Sequence, residues 1–265
     1  MISLKYNKKD EELSRVVIME DPIKILKDFI AIRTDHPSPD YPSAIKFLHN
    51  LSKDLGFTTE IIDTVNGKQA ILVYYYGSDS TLKPILLNCH IDVVKVDEEM
   101  WKYNPWSGEI DNNNIYGRGT QDMKSLGIMY LYAMYRMKKN NIKHKRSILV
   151  CFVPDEEIMS RDGMNVLVDM LPECEFCLDE GIPNNNERLT LYYGERKQWW
   201  LKLEAKGQAG HGSKFVDNHS VINLQKALGD IMKIYEAEKV KQYKNHLVIC
   251  QETSLVKGRL SLACV

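Results

Sequence analysis

The chain has 265 residues, of which 44% are hydrophobic and 27% are charged, and its formal net charge is −1. This is the balance of an ordinary globular protein. A near-neutral chain without a block of basic residues offers nothing that attracts nucleic acid or an anionic membrane surface. Its apolar runs also fall short of the roughly 20 residues that a membrane-spanning helix needs. We therefore expect no nucleic-acid partner and no membrane partner.

The start of the chain and its cysteines favour a cytoplasmic location. Residues 1–21 are polar and charged and lack the apolar core of a signal peptide, so we interpret them as a polar leader. The C-x-x-C pair of Cys174 and Cys177 is not followed by a second pair, so the pattern does not favour a structural zinc knuckle. The six cysteines are predicted to be reduced thiols of a cytoplasmic protein.

Hydrophobic periodicity predicts helices alternating with strands along most of the chain. The predicted helices are 22–32, 43–55, 126–137 and 163–170. The predicted strands are 70–76, 84–88, 147–153 and 176–178. This alternation implies an α/β fold, with a mostly parallel mixed sheet flanked by helices. A strand at 196–205 and a helix at 221–235 follow, so we expect one α/β domain over 22–191 and a partial α+β domain over 192–265.

Candidate metal ligands stand where predicted strands and glycine turns end. They lie in the motifs NCHID, GTQDMK, VPDEE and LDEG. Open α/β sheets place their sites outside the carboxyl ends of the strands, so these motifs are expected to meet at one edge. The candidates are His90, Asp92, Asp122, Glu156, Glu157 and Glu180.

Each motif also has a purely structural interpretation. His90 could be a hydrogen-bonded histidine at a strand end, Asp122 a helix cap, and the acidic pairs solvated turns. Yet Glu156 and Glu157 follow an apolar strand, where adjacent carboxylates repel each other unless a cation lies between them. Asp92 could hold the far ring nitrogen of His90, as a ligating histidine requires. Four such motifs in one chain favour a site for zinc or a similar divalent ion.

Seven motifs in a fixed order resemble the aminoacylase-1 branch of the di-zinc exopeptidase and amidohydrolase family. They are LLNCHIDVV, WKYNPWSGEI, IYGRGTQDMKS, FVPDEE, LDEG, YYGERKQWW and GQAGHGS. The resemblance implies hydrolysis of N-acyl-L-amino acids to a carboxylate and a free L-amino acid through a zinc-bridged water. It also implies two zinc ions per subunit and a homodimer formed through a lid domain.

The resemblance assigns metal ligands residue by residue. His90 and Glu180 match ligands of the first zinc, and Asp179 is the less favoured alternative to Glu180. Asp122 matches the carboxylate that bridges both zinc ions. Glu157 matches a ligand of the second zinc.

Three further residues match catalytic positions of the family. Asp92 is expected to orient His90, and Glu156 to act as the general base that takes a proton from the attacking water. His211, in GQAGHGS, matches a lid-domain histidine that reaches across the dimer interface and stabilises the oxyanion. The peptide bond that follows Asp122 is expected to be cis, as in relatives.

The chain also departs from the family pattern. A returning segment in the family supplies a second histidine for the second zinc, and no histidine of this sequence stands in such a segment. The second site therefore lacks its histidine, and we expect a chain that is truncated at its carboxyl end and inactive or nearly so. A dipeptidase or another deacylase of the same family stays open as an alternative. A non-catalytic form that acts only as a binding or dimerisation partner stays open as well.

Overall fold

The computed structural model describes residues 21–181, 189–190, 201–244 and 249–250, so that nearly all of the predicted leader lies outside the described residues. The chain divides into two compact units at about residue 183. The predicted domain boundary at 191 stays a prediction. Among the described helices, none is long and apolar enough to cross a membrane.

Two helices open the first unit, α1 at Pro22–Ala31 and α2 at Tyr41–Asp54. The carboxylates of Asp21 and Asp40 accept backbone N–H groups of the first turn of α1 and α2 at 3.0–3.1 Å. These aspartates cap donors that have no partner inside the helix, and a proline in each first turn suits that position. Both predicted helices are confirmed to within two residues at either end.

In the described part of the chain, five strands form one sheet in the order β1-β2-β6-β3-β7. Strands β1 to β7 are Thr58–Asp63, Gln69–Tyr75, Ile85–His90, Glu109–Asp111, Asn114–Tyr116, Ile148–Val153 and Phe176–Leu178. Strand β3 is parallel to β6 and β7, β2 is antiparallel to β6, and β1 is antiparallel to β2. All strands of this sheet except β2 therefore run in one direction, which confirms the predicted mostly parallel mixed sheet.

Strand β1 escaped prediction because its residues carry almost no apolar alternation. Its sequence, TTEIID, lies at the edge of the sheet, and its side chains are exposed or half-buried. Pairing with β2, from Thr58 opposite Tyr74 to Asp63 opposite Gln69, holds it in place. Long-range pairing of this kind leaves no signal in the local sequence.

Helix α3, Lys124–Lys139, packs directly on the sheet. A Cβ added at Gly127 would lie 2.6 Å from Phe152 and 2.7 Å from the Cys89 sulfur, so only glycine allows this close approach. Beyond β6, the predicted helix 163–170 divides into α4 at Met164–Leu167 and a 3₁₀ turn at Val168–Met170.

The second unit contains helix α5, Ser220–Lys244, which confirms the predicted helix and extends it. Strand β8, Leu189–Thr190, pairs antiparallel with β9, Ile249–Cys250. The predicted strand 196–205 lies outside the described residues up to 200, and residues 201–205 belong to neither a helix nor a strand.

Candidate metal centre

The polar residues of the site follow three neighbouring parallel strands. Strand β3 ends at His90, the turn with Glu156 and Glu157 follows β6, and Glu180 comes two residues after β7. Because β6, β3 and β7 are adjacent and parallel, their carboxyl ends meet at one edge of the sheet. Asp122 reaches the same edge from the loop before α3.

The carboxylates converge on the imidazole of His90. Its Nε2 lies 2.7 Å from Oδ1 of Asp122, 3.2 Å from Oε1 of Glu180 and 3.9 Å from Oε2 of Glu156. Two groups of potential ligand atoms, each within 4.8 Å of one another, share this histidine. They are His90, Asp122 and Glu180, and His90, Glu156 and Glu157.

Hydrogen bonding shows that this point requires positive charge. Nδ1 of His90 lies 2.9 Å from the backbone carbonyl of Asp92, which can only accept. Nε2 faces carboxylates, which are acceptors as well. Both ring nitrogens thus face acceptors, whereas a neutral imidazole has only one N–H to donate. Burial opposes a charged imidazole, but the hydrogen bonds with Asp122, Asp92 and Glu180 outweigh it and raise the pKa of His90 well above its usual value. A proton or a divalent cation can satisfy such a cluster, and one imidazole with several carboxylates is a donor set that fits zinc.

Asp92 lies beside the far ring nitrogen of His90, where the sequence predicts it. The backbone carbonyl of Asp92 lies closer to the ring of His90 than its carboxylate does, at 2.9 Å against 3.5 Å. The buried carboxylate also accepts the backbone N–H groups of Glu156 and Glu157, both at 3.0 Å, and contacts His36 at 2.9 Å. Burial favours the neutral acid, yet the hydrogen bonds with His90 and His36 lower the pKa of Asp92.

Glu156 has the properties of a general base near neutral pH. Its side chain is about half exposed, and burial together with the carboxylates of Glu157, Glu180 and Asp92 raises its pKa to about 7. A base works best when its pKa lies near the operating pH.

Glu157 follows Glu156 in the same 3₁₀ turn. Burial, followed by the negative charge of Asp122, raises the pKa of Glu157. The metal-ligand geometry groups it with Glu156 and His90. Its role at a second metal stays a prediction.

Residues that sequence analysis did not single out hold this turn. Asp155 is buried and has a φ of 65°. Tyr41 donates to the Asp155 carboxylate at 2.6 Å and accepts the Asp155 backbone N–H at 3.1 Å, and Lys68 also donates to this carboxylate. The motif VPDEE contains Asp155, but its partners come from distant parts of the sequence, so no local pattern reveals them.

The loop that carries Asp122 is anchored by Lys124. The peptide bond between Asp122 and Met123 is cis, as predicted. The Lys124 side chain is fully buried, and its Nζ donates to the carbonyl groups of Phe29 and Ile32 at 3.1 and 2.8 Å. Burial lowers the pKa of Lys124 to about 7. The motif GTQDMK contains this lysine, but the motif alone does not indicate its role.

The geometry favours Glu180 over Asp179 as the ligand after β7. The Asp179 carboxylate accepts from the Asn88 side chain and from the Glu180 backbone N–H, both at 2.9 Å. These bonds fix the turn, while Glu180 itself faces His90.

His211 belongs to the second unit, where it is exposed. Its Nδ1 lies 2.8 Å from the Ser213 hydroxyl, within the run GQAGHGS. Its predicted contact with an oxyanion stays a prediction.

The sequence of this chain matches a known protein family. The profile of Peptidase family M20/M25/M40 matches residues 86–262. The chain belongs to this family. The match begins in β3 and includes every residue of the candidate centre, so the predicted family resemblance is confirmed.

Within this family, the chain is similar to curated proteins named aminoacylase-1. Aminoacylase-1 of Sus scrofa is 37% identical over 231 residues, which are 85% of this chain and 56% of that protein. Aminoacylase-1 of Dictyostelium discoideum is 37% identical over 216 residues, which are 79% of this chain and 53% of that protein. The chain thus spans about half the length of the curated relatives it matches.

A solved structure shows the same fold. An M20 family metallo-carboxypeptidase from Sulfolobus solfataricus aligns with a TM-score of 0.54 at 22% identity. The alignment covers 61% of this chain and 37% of the carboxypeptidase. At this identity the similarity shows the fold alone.

Proposed function

We propose that this chain provides the metal centre and general base of an aminoacylase that hydrolyses N-acyl-L-amino acids. The observation that carries the proposal is the cluster of carboxylates on His90, beside a glutamate whose pKa is about 7. The 37% identity to aminoacylase-1 of Sus scrofa supports an N-acyl amino acid as the substrate and amino acid metabolism as the setting.

His90, Asp122 and Glu180 would hold one zinc ion, and Glu157 would join Asp122 in holding a second. When bound, zinc supplies Lewis-acid activation that makes hydroxide available near neutral pH. Asp92 holds the ring of His90 through its carbonyl and the glutamate turn through its carboxylate, so one residue fixes the ligand and the base together.

Glu156 would accept a proton from the attacking water at its carboxylate and deliver it to the leaving amine. In the metal-free protein the pKa of Glu156 already lies near neutral pH, where a carboxyl group can both accept and release a proton. A positioned acid or base of this kind contributes roughly 10²–10⁴-fold to the rate.

We therefore expect Glu156→Gln to abolish turnover and to leave zinc binding intact, because an amide cannot accept the proton. The variant is tested on N-acetyl-methionine in a chimera in which this chain replaces the matching 231 residues of Sus scrofa aminoacylase-1. A loss of at least about 100-fold is expected. Zinc content, measured by atomic emission, is expected to match the unmutated chimera.

Glu99→Gln is the control, because Glu99 is an exposed glutamate outside the cluster. A folded, zinc-loaded chimera that turns over a dipeptide but not N-acetyl-methionine would contradict the proposed substrate. Loss of zinc from the Glu156 variant would instead identify Glu156 as a ligand.

We also propose a homodimer formed through the second unit. Apolar side chains that are more than half exposed on α5, among them Val221, Met232 and Ile234, support it, because large exposed apolar surface marks interaction sites. A cytoplasmic location is part of the proposal, and the buried thiols of Cys89 and Cys151, which form no disulfide bond, support it. Sedimentation velocity measures whether the protein is a dimer in solution.

A further inference from the structure

His36 contacts the metal centre through Asp92, although the family resemblance gave it no role. Its Nε2 lies 2.9 Å from Oδ2 of Asp92. Because the carboxylate accepts, this ring nitrogen carries the proton and donates it. The His36 side chain is 16% exposed and that of Asp92 is fully buried, so water competes weakly for the hydrogen bond.

Main-chain pairing fixes His36 beside Asp92. Asp35 and Val93 form a parallel bridge. The backbone N–H of His36 donates to the carbonyl of Val93 at 3.3 Å, and the N–H of Val93 donates to the carbonyl of Thr34 at 3.1 Å. The segment before α2 is thus hydrogen-bonded to the residues after β3. This backbone pairing holds the imidazole of His36 next to the Asp92 carboxylate.

Asp92 connects His36 to the rest of the centre. Oδ2 of Asp92 accepts from His36 and also from the backbone N–H of Glu157, while Oδ1 accepts from the backbone N–H of Glu156. The carbonyl of Asp92 accepts from His90. A carboxylate that rotated out of this position would release the turn that carries both glutamates.

We propose that His36 is a positioning residue of the metal centre, whose Nε2–H fixes the rotation of the Asp92 carboxylate and thereby places Glu156 and Glu157. The inference rests on the proposed function only in taking zinc as the metal. Oδ2 is shared between His36 and Glu157, so loss of His36 acts first on the position of Glu157. The measurable effect is weaker zinc binding.

Substitutions of His36 by glutamine and asparagine distinguish a hydrogen-bonding role from a role in packing alone. Glutamine can place its Nε2 where the histidine Nε2 lies, asparagine is one methylene shorter, and leucine has no donor. Partners that orient metal ligands typically contribute 10–100-fold to metal affinity, so we expect H36N and H36L to weaken zinc binding about 10-fold. H36Q is expected to stay within about threefold of the wild type, since it keeps the donor.

The experiment titrates zinc into residues 1–265 in competition with a chromophoric chelator and follows thermal unfolding of the metal-free proteins. H49L is the matched control, because His49 on α2 makes a 3.0 Å side-chain hydrogen bond with Thr59 and does not contact Asp92. Wild-type zinc affinity is expected for H49L. A merely structural role for His36 would lower the unfolding temperature without separating H36Q from H36N in zinc affinity.

Equal zinc affinity across the His36 variants would overturn the proposal, and so would an equal loss in H36Q and H36N. If H36L does not fold, the comparison of H36Q with H36N decides. A wild-type chain that binds no zinc would overturn the metal centre itself. Zinc binding by residues 1–265, together with a folded, zinc-loaded chimera that does not hydrolyse N-acetyl-methionine, would count against the proposed substrate and leave the role of His36 standing.

Discussion

At His90, a buried imidazole meets the carboxylates of Asp122, Glu180 and Glu156 around one nitrogen. At short range, carboxylates of like charge raise one another's pKa unless a cation separates them. Burial first, and then this crowding, raises the pKa of Glu156 to about 7 in the metal-free protein. The site is therefore built for positive charge, and its acid–base behaviour depends on whether a metal supplies that charge.

The raised pKa of Glu156 predicts a pH dependence of stability in the metal-free protein. A carboxyl with an ordinary pKa of 4.5 and a folded pKa of about 7 binds its proton more tightly in the folded state. Its stabilising contribution is complete below about pH 4.5 and is lost as the pH rises through about 7. E156Q does not titrate, so its unfolding temperature should fall less between about pH 5 and pH 8 than that of the wild type.

Thermal unfolding in the presence of a chelator measures this difference. Because all other titrating groups are common to both proteins, the difference reports on Glu156. The same pH dependence in both would show that Glu156 does not have a raised pKa. With zinc bound, the difference should shrink, because the metal supplies the positive charge.

The hydroxyl group of Tyr41 is expected to stabilise the fold through its hydrogen bonds with Asp155. Tyr41→Phe leaves the buried Asp155 carboxylate without one donor and the Asp155 N–H without its acceptor. An unsatisfied buried group costs about 1–3 kcal/mol, so the free energy of unfolding should fall by that amount. Tyr103→Phe is the control, since Tyr103 donates at 2.8 Å to the solvent-accessible Asp111 carboxylate. Equal losses in urea unfolding would contradict this account.

The site residues that sequence analysis identified are those whose chemistry is visible in short motifs. His90, Asp122 and Glu156 stand in such motifs at strand or turn ends. His36 and Tyr41 reach the site from 56 and 114 residues away, by packing that no motif encodes. Prediction therefore found the candidate ligands and Asp92, and missed His36 and Tyr41, which hold the site from distant parts of the sequence.

At the scale of elements, the contact between α3 and the sheet sets the position of the Asp122 loop. Helix α3 begins two residues after Asp122, and Gly127 lets it approach Phe152 and Cys89. The helices and buried strands could be predicted because each has an apolar periodicity of its own. Strand β1 and the insertion of β6 between β2 and β3 could not, since both depend on pairing between distant segments.

Gly127→Ala is expected to destabilise the protein, because the new Cβ would lie 2.6 Å from Phe152. Overpacking of this kind costs about 1–3 kcal/mol. Gly229→Ala, in the middle of α5, is the matched control, since a Cβ there meets nothing within 4 Å. Alanine's higher helix propensity should make that variant equally stable or more stable, by up to about 1 kcal/mol. Urea unfolding followed by circular dichroism tests the pair, and a stable Gly127→Ala would contradict the packing argument.

At the scale of the whole molecule, the first unit contains all the candidate metal ligands and the second contains His211. The order of motifs along the chain predicted the family, and the sheet topology explains why these motifs meet. The roles predicted for the two units come from the family resemblance and stay predictions, because the pattern of residues 192–265 specifies elements rather than their partners. The proposal of a zinc site concerns the first unit alone, at the ends of its parallel strands.

Anomalous diffraction at the zinc absorption edge, from crystals of residues 1–265 grown with zinc, tests that claim most directly. The account predicts an anomalous peak about 2.0–2.2 Å from Nε2 of His90, with oxygens of Asp122 and Glu180 at similar distances. A second peak near Glu157 would place the second metal. An anomalous map with zinc bound elsewhere and none within reach of His90 would contradict the account.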